Sequence, residues 1–80
     1  MKLPRDLSGQ TLAQTLTRKW GYREINRVGS HMILQTDTPA HHRGSIPDQR
    51  TLRIGTLNGI LRSVAAAKGV SPEAIVTSLR

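Results

Sequence analysis

This chain has 80 residues and no cysteine, so its fold receives no disulfide and no thiolate-bound metal. A chain of this length forms one domain, residues 1–80, around a single small core. Hydrophobic residues make up 36% of the sequence, which is enough for a thin core. The fold therefore depends on how a few apolar side chains are spaced along the chain.

The first helix is predicted over residues 9–20. Ser8 is a good N-cap, and Gly21 suits the position that follows the last helical residue. Between them, apolar residues recur every three or four positions, as on the buried face of a helix: Leu12, Ala13, Leu16 and Trp20.

A second long helix is predicted from Gly55 or Thr56 to the residue before Gly69. Ser71 and Pro72 then open a third, short helix as its cap and first residue. The apolar stripe of the second helix consists of Leu57, Ile60, Leu61, Val64 and Ala65.

Strands are predicted between the two long helices, over residues 22–27, 31–36 and 44–47. A turn is predicted at residues 28–30, between the first two strands, and the composition of residues 37–43 predicts a loop. In the second strand, alternation points Met32, Leu34 and Thr36 to the core and His31, Ile33 and Gln35 to the other face. The predicted fold is α+β, in the order α-β-β-β-α with a short C-terminal helix: a small antiparallel three-stranded sheet with helices on one face.

The charge balance favours a polyanionic partner. Twelve Lys and Arg against five Asp and Glu give a net charge of +7, which favours RNA or DNA over a membrane surface. Trp20 and Tyr22 are the only aromatic residues, which argues against modules that stack successive bases on aromatic rings.

The compartment follows from what the sequence lacks. A small chain without cysteine is typical of a reducing environment. No apolar run approaches the roughly 20 residues of a membrane-spanning helix, and the first residues, MKLPRDLSG, lack the apolar stretch of a signal peptide. We therefore expect a cytoplasmic protein without a membrane segment.

Histidine in a basic background is the remaining source of chemistry. No phosphate-binding loop or zinc motif occurs, and five well-separated acids argue against a two-metal site, so no metal or cofactor is expected. His31 follows a glycine-containing turn, where an imidazole can take a proton from an RNA 2′-hydroxyl. Arg23 or Arg27 could stabilise the charge on the phosphate. The alternative is a half-buried histidine with a structural role.

Other basic residues allow weaker interpretations. The adjacent His41 and His42 are best explained by loop polarity, and the alternative is an auxiliary proton donor or phosphate contact. Arg50 and Arg53 flank the start of the second long helix, where they either bind phosphate or remain solvated.

Five segments occur in order over residues 2–64: KLPRDLSG (2–9), GY (21–22), RVGSH (27–31), IP (46–47) and GTLNGILR (55–62). In these segments the sequence resembles the HicA (YcfA-like) mRNA interferase toxins. The resemblance implies a fold like that of double-stranded-RNA-binding domains, and a ribonuclease that blocks translation and is neutralised by a HicB-type antitoxin. It also implies that His31 is the catalytic residue, in a turn shaped by Gly29 and Ser30.

Two positions depart from the family pattern. Many members carry a histidine shortly after the proline of the third strand, whereas Asp48 and Gln49 follow Pro47 here. Asn58 stands where the family often has a basic residue. The tail, residues 65–80, either extends the core or forms an oligomer contact.

Three functions are compatible with these features. The first is a metal-independent endoribonuclease toxin that uses His31 as general acid or base and binds mRNA and an antitoxin over the His31 face, as a hetero-oligomer. The second is a non-catalytic double-stranded-RNA-binding module on the same scaffold. The third is a DNA-binding or ribosome-associated module that reads its target with the helix beginning near Thr56.

Overall fold

The computed structural model describes residues 2–79 and contains three helices and three strands. In chain order they are α1 (Gly9–Lys19), β1 (Arg23–Val28), β2 (His31–Thr36), β3 (His42–Pro47), α2 (Ile54–Lys68) and α3 (Pro72–Ser78). The predicted order and the α+β class are confirmed. None of the helices described here is long and apolar enough to cross a membrane.

The ends of α1 follow the predicted local signals. The Ser8 hydroxyl accepts a hydrogen bond from the Thr11 backbone N–H at 3.0 Å, which caps the helix. The helix ends at Lys19, with Trp20 as its C-cap, and Gly21 takes a left-handed conformation at φ 72°. Leu12 and Leu16 are buried and point into the core.

Helix α2 begins at Ile54, one or two residues before the predicted start at Gly55 or Thr56, and Gly69 ends it in the left-handed conformation. Its buried residues are Leu57, Leu61, Val64 and Ala65, while Ile60 packs against the core from a partly exposed position. The predicted apolar stripe of this helix is therefore confirmed.

Helix α3 packs on the rest of the domain. Ile75 and Val76 are buried, and the Trp20 indole Nε1 donates a hydrogen bond to Ser78 Oγ at 2.8 Å. Of the two roles considered for the tail, extension of the core is the one that the structure shows.

The sheet has the order β1-β2-β3, and both strand pairs are antiparallel. Met32, Leu34 and Thr36 are buried beneath the helices, as the alternation in β2 predicts. The opposite side of the sheet carries His31, Ile33 and Gln35, and we call it the open face. Residue 25 is a bulge in β1, because Glu24 pairs with Leu34 and Asn26 pairs with Ile33.

The third strand was predicted too short. It begins at His42, two residues before Gly44, because His42 and Arg43 pair with Thr36 and Gln35 of β2. Their polar side chains suggested a loop, but a strand at the edge of a sheet accommodates such residues without an apolar pattern. Ile46 is its one buried residue.

Candidate functional site

His31 is the first residue of β2, and its side chain lies on the open face at the end of the β1–β2 hairpin. The residue is exposed, and among residues 2–79 its imidazole has no hydrogen-bond or ion-pair partner. The half-buried position expected of a structural histidine is therefore not what the structure shows. An imidazole with both nitrogens accessible can exchange protons with a bound molecule.

The turn before His31 consists of Gly29 and Ser30. Gly29 has a φ of 57°, a conformation that glycine adopts at little cost. The Ser30 carbonyl accepts a hydrogen bond from the Asp48 backbone N–H at 2.6 Å, which ties the turn to the end of β3. The conformation of Gly29 and this hydrogen bond together fix the position of the His31 backbone.

The immediate neighbours of His31 on the open face are apolar. Val28 pairs with it from β1 and Pro47 pairs with it from β3, while Ile33 lies two residues along β2. Val28 is 58% exposed, although a valine at the end of a hairpin gains nothing from contact with water. His31 thus lies in a small apolar surface rather than in a cluster of charges.

Arg27 does not lie beside His31. It pairs with Met32, whose side chain is buried under the helices, so Arg27 is on the helix side of the sheet. There its guanidinium contacts the Asp48 carboxylate at 2.8 Å and the Glu24 carboxylate at 3.6 Å. The expected contribution of Arg27 to charge stabilisation at His31 is not supported by this placement.

Arg23 is on the open face but far from His31. It pairs with Gln35, four residues along β2 from His31, or roughly 13 Å at the usual rise of a strand. Its guanidinium contacts the Asp37 carboxylate at 3.1 Å. Neither of the two β1 arginines is therefore brought to the histidine.

Arg50 and Arg53 are exposed and form no ion pair with any residue from 2 to 79. Arg53 is the N-cap residue of α2, and the first turn of that helix contains no acidic residue. Arg50 lies three residues after Pro47, the strand partner of His31. These two cations are available to a phosphate, whereas Arg23 and Arg27 are held by carboxylate partners.

The two adjacent histidines have different environments. His41 is exposed in the loop and its Nδ1 lies 3.0 Å from the Asp37 carboxylate. That hydrogen bond, and a second one from Arg23, lower the pKa of Asp37. His41 is therefore an exposed polar residue of the loop, as the composition of this segment predicts.

His42 is a strand residue, and the prediction of a loop role for it is wrong. Its Nδ1 lies 2.8 Å from the Tyr22 hydroxyl oxygen and its Nε2 lies 3.0 Å from Ser63 Oγ. Tyr22 is only 3% exposed, and burial raises the pKa of its hydroxyl. The one signal in the sequence was that a buried tyrosine needs a hydrogen-bond partner.

Lys68 completes a polar cluster at this edge of the core. Its ammonium donates to Thr36 Oγ1 at 2.8 Å and to the Thr38 carbonyl, and it lies 4.9 Å from the centre of the Tyr22 ring. Partial burial lowers the pKa of Lys68. These contacts satisfy the hydroxyl of Thr36, which is fully buried.

In residues 2–79 no group of three or more His, Cys, Asp or Glu side chains is placed to hold a metal ion. No protein-family model matches the chain, and no curated protein or solved structure was found to be similar to it.

Proposed function

We propose that this protein is a cytoplasmic endoribonuclease toxin that cleaves mRNA without a metal ion, with His31 as its general acid or base. One observation supports this most directly: an exposed histidine with no partner among residues 2–79 lies at the hairpin end of the open face, in a chain of net charge +7. The sequence resemblance to the HicA toxins assigns the same histidine.

The reaction needs only proton transfer at His31. A neutral imidazole takes the proton of an RNA 2′-hydroxyl, and the 2′-oxygen attacks the adjacent phosphorus. The bond from phosphorus to the 5′-oxygen breaks, and that oxygen takes a proton from the imidazolium or from water. The products are a 2′,3′-cyclic phosphate and a free 5′-hydroxyl.

Arg50 and Arg53 are the cations best placed to hold the RNA backbone. Both lie in the segment that follows β3, whose last residue pairs with His31. Because neither has a carboxylate partner among residues 2–79, each can neutralise a phosphate and release its counterion. Arg23 and Arg27 would first have to leave Asp37 and Asp48.

A protein antitoxin of the HicB type is the proposed partner, in a hetero-oligomer. Val28 and Ile33 flank His31 and expose apolar surface that a partner would cover. A partner bound to this surface would also keep RNA away from His31, so its binding would inhibit cleavage.

A non-catalytic double-stranded-RNA-binding module is the second candidate. The observation in its favour is the α-β-β-β-α order with the helices on one face of the sheet. In that case Arg50 and Arg53 would contact phosphates, and His31 would be dispensable.

Incubation of a long RNA with the purified chain in EDTA tests the proposal. Three proteins are compared: the wild type, His31→Ala, and His41→Ala, which removes an equally exposed histidine elsewhere. We expect cleavage by the wild type and by His41→Ala, and none by His31→Ala, with circular dichroism showing that all three are folded. A translating extract serves as a second assay for cleavage.

The other outcomes separate the candidates. Equal cleavage by all three proteins would remove His31 from the mechanism. Salt-dependent binding of duplex RNA by wild type and His31→Ala alike, without cleavage in either assay, would favour the binding module.

A further inference from the structure

A cavity of about 300 Å³ lies between β3 and α2, on the helix side of the sheet and away from His31. Leu34 and Ile46 line it, although both are almost inaccessible to solvent, so the cavity reaches the core. Its volume is in the range of small-molecule sites. No charged side chain lines it.

Glycines form part of both walls of this cavity. Gly44 is on the β3 side, and Gly55 and Gly59 are one turn apart on α2. A Cβ atom at Gly55 or Gly59 would meet no atom within 4 Å, so close packing does not require either glycine. Glycine inside a helix costs stability relative to alanine. The effect of these two glycines is to leave the cavity open.

The polar end of the cavity is the chain of hydrogen bonds from Tyr22 through His42 to Ser63. Among residues 2–79 the Tyr22 hydroxyl has only His42 Nδ1 as a partner, and the tautomer of His42 decides which of the two donates. In the tautomer in which Nδ1 accepts from the Tyr22 hydroxyl, the imidazole proton is on Nε2 and is donated to Ser63 Oγ.

Ser63 is an exposed residue, and in that tautomer its own hydroxyl hydrogen can be donated to solvent or to a ligand. Its Oγ already accepts from His42, and among residues 2–79 the hydroxyl has no second partner. A serine hydroxyl that accepts on one side donates on the other. The cavity thus offers a ligand one oriented donor within mainly apolar walls.

We propose that this cavity binds a small, uncharged and largely apolar molecule whose one polar group is a hydrogen-bond acceptor, such as a carbonyl oxygen. The acceptor bonds to the Ser63 hydroxyl, and the apolar part packs on Leu34 and Ile46. The site does not use His31 and stands independently of the ribonuclease activity.

Acetophenone is the probe, titrated into the full-length ¹⁵N-labelled chain and followed by amide chemical shifts. We expect saturable shifts centred on Gly44, Gly55 and Gly59. Gly59→Leu places a side chain in the cavity and should abolish them, and Gly55→Leu is a second blocking variant on the same wall. Ala66→Leu, an exposed position on α2 outside the cavity lining, should bind like the wild type.

The ligand class has its own readout. The ¹³C resonance of the bound acetophenone carbonyl should lie at lower frequency in Ser63→Ala than in the wild type, because the variant lacks the hydroxyl that donates to the carbonyl oxygen. Absence of saturable shifts, or shifts that persist in folded Gly59→Leu and Gly55→Leu, would overturn the site. Saturable binding with the same bound carbonyl resonance in the wild type and in Ser63→Ala would overturn the role of the acceptor.

Discussion

Arg27 and Met32 face each other across β1 and β2, which places the Arg27 guanidinium on the helix side of the sheet. The bulge at residue 25 causes this arrangement. Arg23 lies on the open face, and simple alternation would put Arg27 there too, but one extra residue reverses the order. The cations that serve an RNA bound at His31 must therefore come from outside β1.

RNA affinity is expected to depend on Arg50 and Arg53 more than on Arg23 and Arg27. The logarithm of the RNA association constant falls as the logarithm of the salt concentration rises. The double variant Arg50→Ala/Arg53→Ala should make this dependence less steep by about 1.4, or roughly 0.7 for each lost contact with single-stranded RNA. Arg23→Ala/Arg27→Ala, with the same change in charge, should alter the slope less. Fluorescence anisotropy at several salt concentrations measures both, and equal slopes would contradict the assignment.

Two glycine substitutions should change stability in opposite directions. Gly9 lies so close to β3 that a Cβ would overlap the Pro47 carbonyl oxygen, so Gly9→Ala should cost about 1–3 kcal/mol of unfolding free energy. Gly59→Ala meets open space and improves helix propensity, so it should add about 1 kcal/mol. Urea unfolding of both variants measures the difference. A destabilising Gly59→Ala would mean that the position is packed.

The attachment of α3 is expected to depend on the hydrogen bond between Trp20 and Ser78. Ser78→Ala leaves the indole N–H without its acceptor and should cost about 1 kcal/mol. The fluorescence of Trp20, the one tryptophan, should shift to longer wavelength as α3 loosens. Thr77→Ala is the matched control, because the Thr77 hydroxyl bonds only within its own helix. Identical spectra for the two variants would argue against this contact.

Local signals made much of the fold predictable from the sequence. Ser8, Gly21 and Gly69 each act within a few residues of their own position, and they mark helix ends in the structure as predicted. The alternation of apolar and polar residues along β2 also predicted which side chains are buried, because Met32 and Leu34 share one face of the strand and that face is covered.

The parts that could not be predicted depend on contacts between distant positions. His42 is fixed by Tyr22, 20 residues before it, and by Ser63, 21 residues after it. The side of the sheet on which Arg27 lies depends on a bulge that no residue type at position 25 announces. The turn before His31 suggested a projecting imidazole, but a half-buried histidine stayed open until the structure was known. Alternation had already placed Ile33 on the same face, whereas Val28 and Pro47 became neighbours of His31 only through the strand register.

Acid should destabilise the fold partly through Asp37. The hydrogen bonds from His41 and Arg23 lower the pKa of this carboxyl in the folded state. A lowered carboxyl pKa contributes stability above the pKa of the unfolded chain, and this is lost as pH falls through the folded value. Asp37→Asn should therefore lose less stability than the wild type below about pH 4.

Thermal unfolding at pH 5, 4 and 3 tests the contribution of Asp37. The matched control is Asp6→Asn, because the Asp6 carboxylate has no ion-pair partner among residues 2–79. This control should keep the acid sensitivity of the wild type. Parallel curves for Asp37→Asn and the wild type would show that the loop contacts add nothing in solution.

The hydrogen bond between Tyr22 and His42 gives the sharpest stability prediction. His42→Ala leaves a buried hydroxyl without an acceptor and should cost about 1–3 kcal/mol, whereas His41→Ala should stay within about 0.5 kcal/mol of the wild type. Tyr22→Phe should be costly alone but nearly neutral when added to His42→Ala, because the unpaired hydroxyl is then removed. A double-mutant cycle in urea at pH 7 measures this coupling, and strictly additive effects would contradict a direct bond.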